Sequence, residues 1–290
     1  MYQNVLVPVT AKTSDTRFLY HVGELATALD AEVTLLAVAD TNRDSVTLVD
    51  GDVVDALEAE GERALAAAEE VLESLGLDPH TDVVQGTPAR TIVEYAERYE
   101  HDLVAMPTHA RRGLKRYLLG SVTEKVVRLS PVPVLTARTA DDEALTFPYD
   151  RLLVAVDGSA PSRRASEHAL SLAAALEADV DVISVVDTGG LGPDVRAQIV
   201  TERARADAED LVRDVETDAN ERGISDVRTE VVEGVPADAI ASYVDEHAVD
   251  AVVMGTTGRT GMDRVLLGSV AEKTVRSAPV PVLTVRGDDD

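Results

Sequence analysis

The segment LLGSVTEKVVR, Leu118 to Arg128, returns 148 residues later as LLGSVAEKTVR, Leu266 to Arg276, with two exchanges. Working outward, PVPVLT from Pro131 recurs unchanged from Pro279, and QGTPA at Gln85 matches EGVPA at Glu233, both with the same shift. NVLVPVT from Asn4 matches RLLVAVD from Arg151 with a shift of 147. A period this long marks a duplicated domain rather than a solenoid of short repeats. The expected division is residues 1–139, an acidic linker at 140–149, and residues 150–287. At roughly 140 residues each, both copies are large enough to bury about two thirds of their unfolded surface.

Within each copy, short β-branched runs alternate with longer Ala-rich amphipathic segments. In the second copy the strands read as Leu152 to Val156, Val180 to Val186, Val227 to Val232, Ala251 to Met254 and Val280 to Val285. The helices between them read as Ser162 to Glu177, Asp194 to Arg222, Ala237 to His247 and Ser269 to Ser277. This alternation predicts right-handed βαβ crossovers and a parallel sheet. The fold class is α/β: two tandem, doubly wound, open five-stranded sheets, with strand order 2-1-3-4-5 or 3-2-1-4-5. In either order strand 1 borders the crevice where the winding reverses and where ligands bind.

Apolar residues make up 45% of the chain and aromatics 3%, so the cores must be built from Val, Leu, Ile and Ala. The 53 acidic residues outnumber the 27 basic ones, giving a net charge of −26. That excess disfavours nucleic acid and anionic membranes as partners. Lys occurs only at positions 12, 115, 125 and 273. An acidic, Lys-poor surface suits a salt-adapted cytoplasmic protein, since screening shortens to about 3 Å at ~1 M salt; an acidic protein of ordinary salt is the alternative. Without Cys there is no disulfide, thiolate site or cysteine nucleophile. MYQNVLVPVT at the start lacks a basic n-region and reads as a strand, so secretion is not expected. No uncharged run reaches the ~20 residues of a membrane span.

Two loops of the second copy carry the chemistry. After strand 4 comes Gly255-Thr256-Thr257-Gly258-Arg259-Thr260-Gly261, followed by Gly268-Ser269 at the last helix. The glycines allow a positive φ and close approach of a ligand. Ser269 reads as the N-cap, and the N–H groups of Gly268, Ser269 and Val270 face whatever lies before the helix, an arrangement that favours a phosphate. Arg259 and Arg264 add positive charge. Turn glycines and a plain helix cap are the alternative reading. Strand 1 ends in Asp157-Gly158-Ser159, where the crevice opens. Asp157 can accept hydrogen bonds from a ribose hydroxyl or an adenine amino group, or it can cap the following helix.

Gly255-x-x-Gly258, nine residues, then Gly268-Ser269 resembles the G-2x-G-9x-G-[ST] signature of the ATP-binding branch of the universal stress protein family. The Asp after strand 1, the Gly-x-Pro-Ala turn, the DAVVMG strand and the closing PVPVLTVR strand extend the likeness over both copies. The whole resembles tandem members from salt-adapted archaea. The resemblance implies a Rossmann-like fold of the adenine nucleotide alpha hydrolase type. It implies ATP, AMP or another adenine nucleotide as ligand, with Mg²⁺ able to accompany the phosphates. Asp157 and Val185 would flank the base, Met254 and Gly255 would lie beneath the ribose, and Gly258, Gly268, Ser269 and Val270 would hold the phosphates. Pairing of the two domains through their last strands is implied too, making the chain a pseudo-dimer that can associate further and can signal to a regulatory protein.

The first copy departs from this pattern. Thr10, Pro107 and Ala110 stand where the second has Asp157, Gly255 and Gly258, while Gly120 and Ser121 remain. Its loop carries His109, Arg111, Arg112, Lys115 and Arg116, suited either to a different anion or a modified nucleotide, or to solvated pairing with carboxylates. The six His residues show no metal-ligand spacing, and no nucleophile elbow, Walker-type Lys or catalytic triad occurs. The expected function is therefore ATP binding in the second copy for regulation or stress protection. A slow ATPase or phosphotransferase and a nucleotide-free dimerisation module are the alternatives.

Overall fold

The computed structural model describes residues 1–10, 16–41, 46–49, 52–108, 119–139, 145–188, 195–256 and 267–287, with backbone alone at 46–49, 52–55 and 195–200. The chain divides into two units, Tyr2–Phe147 and Pro148–Asp290, the latter including Met1. The first contains β1 (Asn4–Val9), α1 (Thr16–Leu29), β2 (Glu32–Asp40), β3 (Val46–Val49), β4 (Asp52–Asp55), α2 (Ala56–Glu73), β5 (His80–Gly86), α3 (Pro88–Arg98), β6 (Leu103–Thr108), α4 (Ser121–Leu129) and β7 (Val134–Arg138). The second contains β8 (Arg151–Val156), α5 (Ala160–Leu176), β9 (Asp179–Val186), α6 (Val195–Glu221), β10 (Val227–Glu233), α7 (Pro236–His247), β11 (Ala251–Gly255), α8 (Ser269–Ser277) and β12 (Val282–Val285).

Strand order is β5-β2-β1-β6-β7 in the N-terminal unit and β10-β9-β8-β11-β12 in the C-terminal one. Every ladder among these strands within a unit is parallel. Counting each unit's main strands from its own start, this is 3-2-1-4-5, the second of the two orders expected. Strand 1 is β8 in the C-terminal unit, and the winding reverses between β8 and β11. The central strands are buried on both faces, with Leu152, Leu153, Val154, Val252 and Val253 at 0% exposure. This matches the near-continuous apolar runs that parallel strands require.

Boundaries differ where capping chemistry decides them. α5 begins at Ala160 rather than Ser162, because Ser159 caps it and Pro161 fits the first turn. β12 begins at Val282, because Pro279 and Pro281 have no N–H to donate. Two elements of the N-terminal unit were not anticipated: β3 and β4 pair antiparallel, Val46 with Asp55 through Val49 with Asp52. The signal was present as Asp50-Gly51 between two β-branched runs. Where the N-terminal unit has this hairpin and an 18-residue helix, the C-terminal unit has the single 27-residue α6.

The N-terminal unit buries a histidine in its first helix. His21 is 1% exposed, and its ring meets that of Phe147 edge-on at 6.1 Å between centroids. Burial lowers its pKa from 6.5 to about 4. The folded chain therefore binds this proton more weakly than the unfolded one, so stability is complete above 6.5 and declines as pH falls toward 4. The decline amounts to roughly 3 kcal/mol at most. His21→Leu is expected to flatten this part of the stability curve, read as denaturant midpoints between pH 7 and pH 4. An unchanged slope would assign the acid sensitivity to other groups.

Candidate functional site

β8 and β11 lie side by side, paired from Leu152 with Ala251 to Ala155 with Met254. Their carboxyl ends form the switch point, with Asp157 leaving one strand and Gly255-Thr256 ending the other. On the other flank, Val156 pairs with Ser184, so Asp157 follows at the level of Val185 on β9. Val185 is half-buried and Met254 is buried, with Met254 aligned on Ala155. Asp157, Val185, Met254 and Gly255 thus come together at one end of the sheet.

The turn after β8 is closed by hydrogen bonds. Gly158 adopts φ +79°, the one place in this turn where glycine is needed for its backbone conformation. Ser159 N–H donates to Asp157 Oδ1 at 3.0 Å, and Ser159 Oγ accepts from Ser162 N–H at 3.3 Å. Ser159, not Asp157, therefore caps α5, and the expected helix-cap role of Asp157 does not hold.

At Gly255 the expected positive φ is not found, and close packing requires the glycine instead. A Cβ there would lie 2.9 Å from Pro161 C, Pro161 Cβ and Ser162 N, so the glycine lets the end of β11 press against the first turn of α5. A Cβ at Gly287 would similarly meet Pro161 Cγ at 3.0 Å.

The start of α8 also corrects two expectations. Gly268 is the N-cap, with φ −62° and ψ 144°, and Ser269 is the first helical residue. The Gly268 N–H is spent, donating to the Thr256 carbonyl at 2.8 Å, while Thr256 N–H donates to the Val285 carbonyl at 2.9 Å. The helix is thereby tied to the carboxyl end of β11. The first intrahelical bond runs from Glu272 N–H to the Gly268 carbonyl at 2.9 Å. Helix geometry then leaves the N–H groups of Ser269, Val270 and Ala271 without intrahelical partners. Those three, with the positive end of the dipole, form the anion-attracting feature. Gly258, Arg259 and Arg264 lie outside the described residues.

The corresponding site of the N-terminal unit is built differently. β1 and β6 are paired at Val5 with Leu103 and Leu6 with Val104, two pairs against the four between β8 and β11. The ladder stops where Pro8 and Pro107, which have no N–H, enter these two central strands. Gly120 caps α4 with φ −59°, and Thr123 Oγ1 donates to the Pro107 carbonyl at 3.4 Å. Ala110, His109, Arg111, Arg112, Lys115 and Arg116 lie outside the described residues.

At the opposite, amino end of the C-terminal sheet lies a charge cluster that no spacing in the sequence suggests. Arg151 reaches Asp181 at 2.6 Å, Asp179 at 2.8 Å and Asp226 at 2.9 Å. Asp181 is 0% exposed and also accepts from the Tyr243 hydroxyl at 3.1 Å. The N-terminal unit has Asn4 and Thr34 at the positions of Arg151 and Asp181. Being remote from the switch point, the cluster serves the fold.

Comparison with known proteins agrees with this architecture. The sequence model of the universal stress protein family matches residues 1–138 and again 148–286. A universal stress protein of Methanocaldococcus jannaschii is 37% identical over 141 residues, covering 48% of this chain and 82% of its own length. A putative universal stress protein of Staphylococcus haemolyticus is 31% identical over 143 residues, covering 49% and 87%. Among solved structures, a universal stress protein from Archaeoglobus fulgidus superposes with TM-score 0.73 at 25% identity, covering 98% of each chain. A putative universal stress protein from Pseudomonas aeruginosa, at TM-score 0.69, 21% identity and coverage of 99% and 94%, shares the fold. With both halves matched in full, the chain belongs to the universal stress protein family as two tandem domains.

Proposed function

We propose that the C-terminal domain binds an adenine nucleotide, ATP foremost, and that its occupancy serves regulation or stress protection. The observation that supports this reading is the convergence at one end of the sheet of the Asp157 carboxylate and the first turn of α8, tied to β11 through Thr256. A carboxylate that accepts from a ribose hydroxyl or an adenine amino group, at the same end of the sheet as amides whose N–H groups donate to phosphate oxygens, suits the two ends of a nucleotide. In this reading Val185 lies beside the base and Met254 and Gly255 beneath the ribose. Gly258, Ser269 and Val270 take the phosphates, and Gly268 contributes space rather than a donor. Among the described residues no group of three His, Cys, Asp or Glu is placed to hold a metal, so Mg²⁺ would enter on the phosphates, whose oxygens suit it. Mass spectrometry of small molecules released from purified protein is expected to find an adenine nucleotide. Its absence, together with no heat of binding for ATP, AMP or cyclic AMP, would overturn the reading.

Three further proposals accompany it. The N-terminal domain, with Thr10 at the place of Asp157 and prolines at its switch point, holds adenine nucleotides weakly. The two domains pair through β7 and β12, as the resemblance implies. Size exclusion after cutting at a protease site placed between residues 140 and 144 checks that pairing, which fails if the halves separate. The acidic excess adapts the protein to salt, so its melting temperature rises between ~0.1 M and ~2 M KCl; a flat or falling trend removes that proposal.

A further inference from the structure

Resting on the nucleotide reading above, we infer that Ser162 is a positioning residue that sets how Asp157 presents its carboxylate. Ser162 is 3% exposed and sits in the first turn of α5. Its Oγ accepts from Asp157 N–H at 3.1 Å, so the hydroxyl holds the peptide from which the carboxylate departs. The Ser162 N–H donates to Ser159 Oγ at 3.3 Å, and Ser159 N–H donates to Asp157 Oδ1 at 3.0 Å. These three bonds form a closed ring, Asp157 to Ser162 to Ser159 and back. Gly158 makes the ring possible with its left-handed φ of +79°.

The ring is braced from outside on three sides. Ser166 Oγ, one helical turn on, donates to the Ser162 carbonyl at 3.1 Å. The Arg163 guanidinium donates to the Gly158 carbonyl at 2.6 Å. Across the switch point, Gly255 lies so close that a Cβ there would come within 2.9 Å of Ser162 N. Ser162 therefore joins the end of β11 to the turn that carries Asp157. A carboxylate gives directional hydrogen bonds to a nucleoside only if its own peptide and rotamer are held, and preorganisation of this kind raises affinity by reducing the ordering cost of binding. Ser162 makes no contact with ligand in this account; it acts through Asp157.

The test is calorimetry of ATP binding to the full chain and to Ser162→Ala, Ser162→Thr, Asp157→Asn and the double variant Asp157→Asn/Ser162→Ala. Asparagine keeps the shape of Asp157 and an acceptor for Ser159, so binding stays measurable. Ser162→Ala is expected to weaken ATP binding about tenfold, the worth of roughly one hydrogen bond. Ser162→Thr, which restores the hydroxyl, is expected to stay within about twofold of the wild type. In the Asp157→Asn background, Ser162→Ala is expected to add less than about twofold, because the two residues act as one unit. A tenfold loss in both backgrounds, or no loss in either, overturns the inference. If Ser162→Ala does not fold, Ser159→Ala, which opens the same ring at another bond, is read in the same cycle. A wild type that gives no heat with ATP removes the nucleotide reading and this inference with it. A wild type that binds while Ser162→Ala binds equally removes this inference alone.

Discussion

At free ATP about a hundred times its dissociation constant, the C-terminal domain is expected to gain about 2.7 kcal/mol of stability by linkage, and Asp157→Ala to abolish most of that gain. The carboxylate ends β8 at the switch point, with Val185 on one side and the end of β11 on the other. Losing a hydrogen bond to a charged group weakens binding by roughly 1.5 to 3 kcal/mol, so at the same ATP concentration only about 0.3 to 1.3 kcal/mol of the gain remains. The measurement is the melting temperature with and without ATP, where each kcal/mol is worth about 2–4 °C. Gly120→Val in the N-terminal domain is the control, expected to leave the shift intact. Gly120 has an ordinary φ of −59°, and a Cβ there would meet only Thr123 Oγ1 at 3.6 Å. Equal losses from the two substitutions would mean that the asymmetry between the domains is wrong.

Asp181→Ala is expected to cost about 3–5 kcal/mol, the usual penalty for leaving one partner of a buried ion pair without the other. Asp181 is 0% exposed and stands between the Arg151 guanidinium at 2.6 Å and the Tyr243 hydroxyl at 3.1 Å. Asp179 and Asp226 also contact Arg151, but their side chains are 34% and 45% exposed, so water already shares in their solvation. Their replacement is expected to cost under about 1 kcal/mol each, as for exposed pairs. The check is the shift in denaturant midpoint for each variant, with Thr34→Ala as the counterpart in the N-terminal domain. Similar shifts for Asp181 and Asp179 would show that burial does not set the ranking. Because the cluster lies at the amino end of the sheet, nucleotide affinity per folded molecule should be unchanged.

The regular elements were legible because their signals are local. The near-continuous apolar runs of the strands and the 3.6-residue period of the helices are complete within a few residues, and both recur in each copy. The sequence pattern predicts α8 over Ser269 to Ser277, as the structure has it. The misreadings arose where one residue serves a distant one. Ser269 was expected to cap α8, but a neighbouring glycine takes that position and gives its N–H to Thr256, twelve residues earlier in the chain. Gly255 was expected to turn the backbone, yet what requires it is Pro161 and Ser162, nearly a hundred residues away. Ser162 itself carries no motif; its role emerges only once the turn after β8 is closed.

By itself the sequence determined the duplication, the α/β alternation, the parallel sheet, the glycine-led helix start after strand 4 and the departure of the first copy at Thr10 and Pro107. These follow from neighbouring residues whose hydrogen bonding and burial repeat along the chain. Only the tertiary structure decided between the two strand orders, gave the helix cap to Ser159, and gathered Arg151 with Asp179 and Asp181 from the start of β9 and Asp226 just before β10. Those outcomes depend on which strands become neighbours, and that is settled by how whole helices and sheets pack, a property no short window of sequence contains.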